Sequence, residues 1–203
     1  MSNDVVVFDI ETVAGPDQVE GGWENPEAMG FGCAVAYNYA KDVYVFYGPG
    51  EQNALRELLA GSIVVTFNGI RFDYRVLYGN DYPMLTGRLS PEGFAGEVDL
   101  LLEVVKGKFA VDSVEEAEQR YGKVAVHNGS INLDGLSQGT LHRWKTGSGA
   151  HAPILIAEGR WAEVYEYCLN DVRLTKGLFE YAKRYHRLVD RNRYVIQVSP
   201  FVF

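Results

Sequence analysis

The sequence predicts one α/β domain on a mixed sheet, in which three antiparallel strands come first and parallel strands follow. Two observations support this fold class. Short apolar runs of strand length alternate with segments of helical periodicity along the chain. In addition, two aromatic-rich runs flank the turn "NYAKD", which predicts a hairpin, whereas the later strand runs are separated by helices.

The N-terminal half supplies most of the predicted sheet. "VVVFDIET" is a buried strand, and the Gly-, Pro- and acid-rich stretch after it predicts a long loop. Loops of this length inside a compact domain are uncommon and often functional. The hairpin, a helix with leucines on one stripe and a second buried strand follow, over residues 31–48, 51–60 and 62–69.

The C-terminal half is predicted to be mainly helical. "RFDYRVLYG" predicts a helix with Phe72, Val76 and Leu77 on one face, and "EVDLLLEVVKG" is compatible with a strand passing into a helix, which periodicity alone does not decide. Short helices and a glycine-broken loop are expected over 107–157. The longest helix is expected from about Gly159 to Tyr185, and the tail "RYVIQVSPFVF" predicts a strand or an extended arm.

Composition narrows the class of protein. The chain has 203 residues and a formal net charge of −8, which argues against affinity based on coating nucleic acid with lysine and arginine. An enzyme acting on one nucleic-acid end stays compatible, because bound metal ions can supply local positive charge. The basic run 183–193 indicates either a solvated helix end or an edge that contacts a nucleic-acid backbone.

The cysteines and the hydropathy pattern predict a cytoplasmic protein. Cys33 and Cys168 lie in apolar surroundings, which favours reduced thiols, and two cysteines are too few for a metal site built on cysteine. No stretch approaches the length of a membrane span and no secretory signal is evident, so no membrane partner is expected. The sequence does not indicate an oligomeric state.

Two carboxylates end the first strand. Asp9 and Glu11 are two residues apart and therefore project from the same face of that strand. Buried side by side they would repel each other, and a divalent cation would remove the conflict. The alternative is that both are solvated residues at a strand exit.

A third acid follows the second buried strand. Asp73 comes after "FNG" and begins a helix, so a strand parallel to the first would bring it to the same sheet edge as Asp9. Asp73 is alternatively a helix cap.

The fourth acid lies on the long helix. Tyr167 and Asp171 are four residues apart in "YEYCLNDV" and share a helix face beside apolar neighbours. An aspartate in this position needs a partner, which is either a metal ion or a nearby base such as Arg173.

Together, Asp9-x-Glu11, Asn68-x4-Asp73 and Tyr167-x3-Asp171 resemble the motifs of the DEDD superfamily of 3′–5′ exonucleases, in its tyrosine-type branch. The forms "FDIET", "FNGIRFD" and "YCLNDV" are similar to the proofreading domains of family B DNA polymerases. The resemblance covers about residues 4–185 and implies a ribonuclease H-like fold with a five-stranded mixed sheet flanked by helices.

The resemblance also implies a chemistry. Asp9, Glu11, Asp73 and Asp171 would hold two Mg²⁺ or Mn²⁺ ions, and Tyr167 would orient the attacking water. The substrate would be the 3′ end of a nucleic acid, with single-stranded DNA favoured and RNA possible. Ribonuclease activity, structure-specific endonuclease activity and a weakly active nucleic-acid-binding accessory subunit are the alternatives.

Four further residues are assigned to substrate binding: Thr12, Asn68, Phe72 and Lys145. Asn68 is either a positioning donor or a turn residue, and Lys145 either offsets phosphate charge or is a solvated loop lysine. The chain is expected to form one domain over 1–203. A variable insertion is expected at about 111–149, where the sequence departs from the polymerase form, and a C-terminal extension at about 186–203.

Overall fold

The protein is described by a computed structural model that covers residues 4–79, 93–127, 129–147 and 149–201. Residues 128 and 148 of the expected insertion and 202–203 of the expected extension lie outside the described residues. Five strands form one sheet: β1 (Val5–Thr12), β2 (Phe31–Asn38), β3 (Val43–Tyr47), β4 (Ile63–Thr66) and β5 (Gly96–Asp99).

The sheet has the strand order β3-β2-β1-β4-β5. Strand β2 is antiparallel to both β1 and β3, whereas β4 is parallel to both β1 and β5. The predicted fold class, an antiparallel trio followed by parallel strands, is therefore confirmed. This topology is consistent with a ribonuclease H-like arrangement, and it puts β1 at the centre of the sheet.

Eight α-helices lie in the described part of the chain. They are α1 (Gln52–Leu59), α2 (Asp73–Tyr78), α3 (Leu100–Phe109), α4 (Val114–Tyr121), α5 (Lys123–His127), α6 (Leu133–Leu141), α7 (Ala152–Ala157) and α8 (Trp161–Tyr185). A second, two-stranded sheet pairs β6 (Arg187–Val189) with β7 (Val195–Gln197). None of the described helices combines the length and the apolar composition that crossing a lipid bilayer requires.

The two faces of the sheet have separate cores. Val6 and Phe8 of β1 pack on one face with Leu55 of α1 and Leu77 of α2. Val7 packs on the opposite face, in the cluster that includes residues of α3 and α8. Because side chains alternate along a strand, Asp9 and Glu11 project on the same face as Val7, which is the face that α8 covers.

Several local predictions are refined by the structure. "EVDLLLEVVKG" is β5 followed directly by α3, because Asp99 ends the strand and caps the helix by accepting from the backbone N–H groups of Leu101 and Leu102. Helix α2 begins at Asp73, so Phe72 precedes it rather than belonging to its apolar face. Helix α8 begins at Trp161, two residues after the expected start.

The loop after β1 is more ordered than the sequence predicts, and the C-terminal tail takes one of its two predicted forms. Two short 3₁₀ turns, Gly22–Glu24 and Pro26–Met29, interrupt the loop. The basic run 183–193 is not simply a helix end, because α8 stops at Tyr185 and the chain continues into β6. Of the two predicted alternatives for the tail the strand is confirmed, because β7 pairs with β6 in a hairpin that packs on α3.

Candidate active site

Strand β1 delivers the first two acids to the α8 side of the sheet. Glu11 lies opposite Cys33 of β2 in the strand register and is buried. Asp9 lies opposite Val35 and retains some exposure. The strand is regular up to Glu11, so its side chains alternate between the two faces of the sheet. Asp9 and Glu11 therefore share a face, as the D-x-E spacing predicted.

Asp73, the first residue of α2, is hydrogen-bonded to the C-terminal part of β1. Its Oδ1 atom accepts a hydrogen bond from the backbone N–H of Ile10 at 2.9 Å, and its side chain is 3% exposed. The side chain of Asp73 is therefore hydrogen-bonded to β1 and does not cap α2, so the alternative interpretation as a helix cap is wrong. Parallel pairing of β1 and β4 brings Asp73 to the edge at which Asp9 and Glu11 lie, as the sequence predicted.

The loop that carries Asn68 is held by Asp99, a buried acid to which the sequence analysis gave no role in the site. Asp99 accepts from the backbone N–H of Asn68 at 2.9 Å and of Ile70 at 3.1 Å, in addition to capping α3. Asn68 is a turn residue in the left-handed region, with φ of 68°. Its side-chain oxygen, an acceptor, is buried and has no hydrogen-bond partner among the residues that the structure describes.

Helix α8 brings Tyr167 and Asp171 over the end of β1. Asp171 is 3% exposed, and its Oδ2 lies 2.5 Å from the Nζ of Lys145. Arg173, the base expected as the alternative partner, instead lies over the ring of Tyr44, with its guanidinium carbon 5.5 Å from the ring centre. Lys145 is only 23% exposed and also lies 5.2 Å from the ring centre of Tyr167, so it is not a solvated loop lysine.

Electrostatics distinguishes this cluster from an ordinary acidic surface. Burial, followed by repulsion from neighbouring carboxylates, raises the pKa of Asp9 and of Glu11 well above the ordinary range. Burial also raises the pKa of Asp73 to about 7, against the opposing effect of the bond from Ile10. The pKa of Asp171 is raised by burial as well, although Lys145 opposes the shift. The acids repel one another without enough counter-charge.

Lys145 and Tyr167 are held in their protonated forms. Burial by itself would lower the pKa of Lys145, but the attraction of Asp171, Asp9 and Glu11 together outweighs it and the net shift is upward. Burial and then the charges of Asp171, Glu11 and Asp9 raise the pKa of Tyr167. Tyr167 is therefore a hydrogen-bond donor at this site rather than a base.

The donor set fits hard divalent cations. Ligand atoms of Asp9, Glu11 and Cys168 lie within 4.8 Å of one another, whereas Asp73 and Asp171 border the same pocket outside this tight group. Asp171 Oδ1 is buried and has no hydrogen-bond partner of ordinary geometry among the described residues, although the Tyr167 hydroxyl is close enough to lower the pKa of Asp171. Carboxylate oxygens are the ligands that Mg²⁺ and Mn²⁺ prefer, so Asp9, Glu11, Asp73 and Asp171 are the residues that could hold such ions.

Cys168 is a site residue that the sequence analysis missed. Its thiol donates to the backbone oxygen of Asp9 at 3.3 Å and lies 3.6 Å from Asp9 Oδ2. Burial raises the pKa of the thiol, so it acts as a neutral donor that positions Asp9. Both cysteines are free and buried, in agreement with the expected thiols. The signal available in the sequence was its position next to Tyr167, on the face of α8 turned to the sheet.

All the residues expected to bind substrate border one pocket of about 870 Å³, which the four acids also line. Thr12 is buried and its hydroxyl donates to the backbone oxygen of Ala14 at 2.9 Å, so it shapes the loop after β1. The ring of Phe72 lies 5.9 Å from the ring of Trp23, which is 61% exposed. The four residues predicted to bind substrate therefore line the same cavity as the five predicted catalytic residues: Thr12, Asn68, Phe72 and Lys145.

Comparison with known proteins adds no assignment. The chain matches no model of a known protein family, and no curated protein sequence is significantly similar to it. Function must therefore be argued from the site.

Proposed function

We propose that the protein is a metal-dependent 3′–5′ exonuclease of the tyrosine-type DEDD kind, which hydrolyses the terminal phosphodiester bond of a nucleic acid. One observation carries this proposal. Carboxylates from β1, α2 and α8, more than 150 residues apart in the chain at the extremes, border one pocket together with a protonated tyrosine. A structural role does not explain so much like charge in a buried place.

The reaction consumes one water. The water oxygen bonds to phosphorus, the bond from phosphorus to the 3′ oxygen of the preceding nucleotide breaks, and a nucleoside monophosphate leaves a strand with a new 3′ hydroxyl. Two divalent cations, Mg²⁺ or Mn²⁺, held by Asp9, Glu11, Asp73 and Asp171, would neutralise the phosphate and activate the water.

The chain's own residues prepare this step. The hydroxyl of Tyr167 is a donor beside Asp171, in a position to orient the attacking water. Lys145 stays charged 2.5 Å from Asp171 and can turn toward phosphate when Asp171 engages a cation. Cys168 and Ile10 hold Asp9 and Asp73 through their S–H and N–H groups, so that both ligands are placed before the cations arrive.

Single-stranded DNA is the favoured substrate in this proposal, RNA is possible, and the site of action is the cytoplasm. Support for the location comes from the two free, buried thiols. No base-reading motif is evident in the sequence, which suits an enzyme that removes any terminal nucleotide.

Matched oligonucleotides carrying a label at the 5′ or the 3′ end test the proposal. With Mg²⁺ or Mn²⁺, a 5′-labelled strand should shorten one nucleotide at a time, and a 3′-labelled strand should release labelled monophosphate at once. Asp9→Asn should abolish turnover while the protein stays folded, whereas Asp112→Asn, which changes an exposed aspartate, should cut like wild type. Wild-type rates in Asp9→Asn would refute the site assignment.

Two controls separate the alternatives. A closed circular single strand should resist the enzyme, because its degradation requires an internal cut and would identify an endonuclease. Mn²⁺ should raise the midpoint of thermal unfolding, since a ligand of the folded state stabilises it by about 2.7 kcal/mol at one hundred times its Kd. The absence of both metal binding and cleavage would favour an accessory nucleic-acid-binding protein.

A further inference from the structure

The pocket is walled on three sides by segments outside the sheet. One wall is the loop after β1, which includes Trp23 and Glu24, and a second is α4 with α5, which includes Glu118 and Lys123. The third wall is the segment after α6 that includes Gly147. A volume of about 870 Å³ lies in the range of small-molecule sites, so the pocket itself encloses the end of a strand rather than a long run of nucleotides.

The cations at these walls are already neutralised. Arg71 pairs with Glu115 at 3.2 Å and with Glu118, and Arg75 pairs with Glu27 at 2.6 Å. Lys123 pairs with Glu24, and Lys145 pairs with Asp171. Each lysine and arginine among the described lining residues therefore has a carboxylate partner.

This charge pattern differs from that of proteins that follow a nucleic-acid backbone. Such proteins use a positively charged groove along successive phosphates. Here the described lining holds seven carboxylates and four lysines or arginines, and the chain carries a net charge of −8. Bound metal ions would offset the negative charge of the four proposed metal ligands, but they would not supply positive charge for phosphates further upstream.

The mouth of the pocket offers one surface for stacking. The rings of Trp23 and Phe72 are 5.9 Å apart and inclined by 53°, and Trp23 remains 61% exposed despite this contact. Glu24 fixes the turn next to Trp23, because its backbone oxygen accepts from Arg75 at 2.8 Å and its carboxylate pairs with Lys123. An exposed indole in a turn held from two sides is suited to receive a base.

We propose that the pocket engages only the last one or two nucleotides of a strand, with a base stacked on Trp23 and Phe72, and that its described lining gives no electrostatic track to the nucleotides upstream. The inference rests on the proposed exonuclease function and defines its substrate as a short or frayed 3′ end. The enzyme would then dissociate after each cut and would treat short and long strands alike.

Strand length and salt test this proposal with the wild-type protein at saturating Mn²⁺. We expect kcat/KM for a trinucleotide and for a strand of about 20 nucleotides to agree within about fivefold. The slope of log(kcat/KM) against log salt should be shallower than about −2, because each single-strand phosphate contact contributes about −0.7. A larger length effect or a steeper slope would overturn the proposal.

Substitution of Trp23 tests the proposed stacking surface. Trp23→Ala should raise KM by about tenfold with little change in kcat, the effect of losing one stacked base. Trp144→Ala is the matched control, since Trp144 is 62% exposed and is not among the described lining residues. Equal losses in both variants, or none in Trp23→Ala, would contradict the stacking role.

A gain-of-function variant tests the neutralised walls. Glu24→Gln removes the partner of Lys123, and should make kcat/KM rise with strand length and fall more steeply with salt than in wild type. If kcat/KM depends on strand length and salt as in wild type, the Glu24–Lys123 pair does not limit binding of the strand, which would contradict the proposal. Failure of the exonuclease proposal itself looks different, because no strand of any length would release monophosphates with either metal.

Discussion

Replacing Asp73 by asparagine should stabilise the metal-free protein at alkaline pH. The amide is nearly isosteric, and its oxygen can still accept the hydrogen bond from the N–H of Ile10. What the substitution removes is a negative charge at a buried place where burial raises the pKa to about 7, from the ordinary 3.8. Ionising such a carboxyl in the folded state costs about 4 kcal/mol relative to the unfolded chain.

The sign follows from proton binding. The folded protein holds the proton of Asp73 more tightly than the unfolded chain does, so the stability gained by protonation is complete below pH 3.8 and is lost as pH rises through about 7. Between pH 5.5 and pH 8 wild type should lose about 2 kcal/mol that Asp73→Asn does not lose. For a chain of this size, the advantage of the variant should grow by about 4–8 °C in Tm.

Thermal unfolding in the presence of a chelator, at pH 5.5 and pH 8, measures this difference. Asp112→Asn is the matched control, because it removes the charge of an exposed aspartate and should shift Tm equally little at both pH values. Saturating Mn²⁺ should reverse the order at pH 8, since the variant lacks one of the ligands. A variant whose Tm differs from wild type by the same amount at both pH values would refute the account of Asp73 as a repelled, buried acid.

Three other perturbations have defined outcomes. Tyr167→Phe should lower kcat by about 10²-fold, while the Tm increase on adding Mn²⁺ persists, because the phenol orients water and the acids hold the metal. Lys145→Met should lower the stability of the metal-free protein by about 2 kcal/mol in urea unfolding, because Asp171 loses its cation, and Mn²⁺ should restore most of it. Gly107→Ala should lower Tm with or without metal, because a Cβ atom there would lie 1.9 Å from the carbonyl oxygen of Gln197.

Positioning of the acids depends on residues that have no place in the D-x-E, N-x4-D and Y-x3-D motifs. Asp99 orders the loop that carries Asn68, and Cys168 holds Asp9 from the neighbouring helix. Neither could be assigned from the sequence, because their roles depend on which backbone groups approach them. A buried carboxylate accepting several N–H groups and a buried thiol next to a predicted site residue are the patterns that would identify such residues elsewhere.

Local patterns in the sequence were sufficient to predict the main elements and the candidate acids. Strand and helix periodicity is a property of consecutive residues, so β1, the β2–β3 hairpin and most of α8 could be predicted from it, and the D-x-E spacing placed Asp9 and Glu11 on one face. The contact partners of those acids depend on tertiary packing. The choice of Lys145 over Arg173 as the partner of Asp171, the contact of Asp73 with Ile10 and the neutralised walls of the pocket all join segments far apart in the chain. Such contacts are set by how helices dock on a sheet, and local patterns of sequence carry little information about that packing.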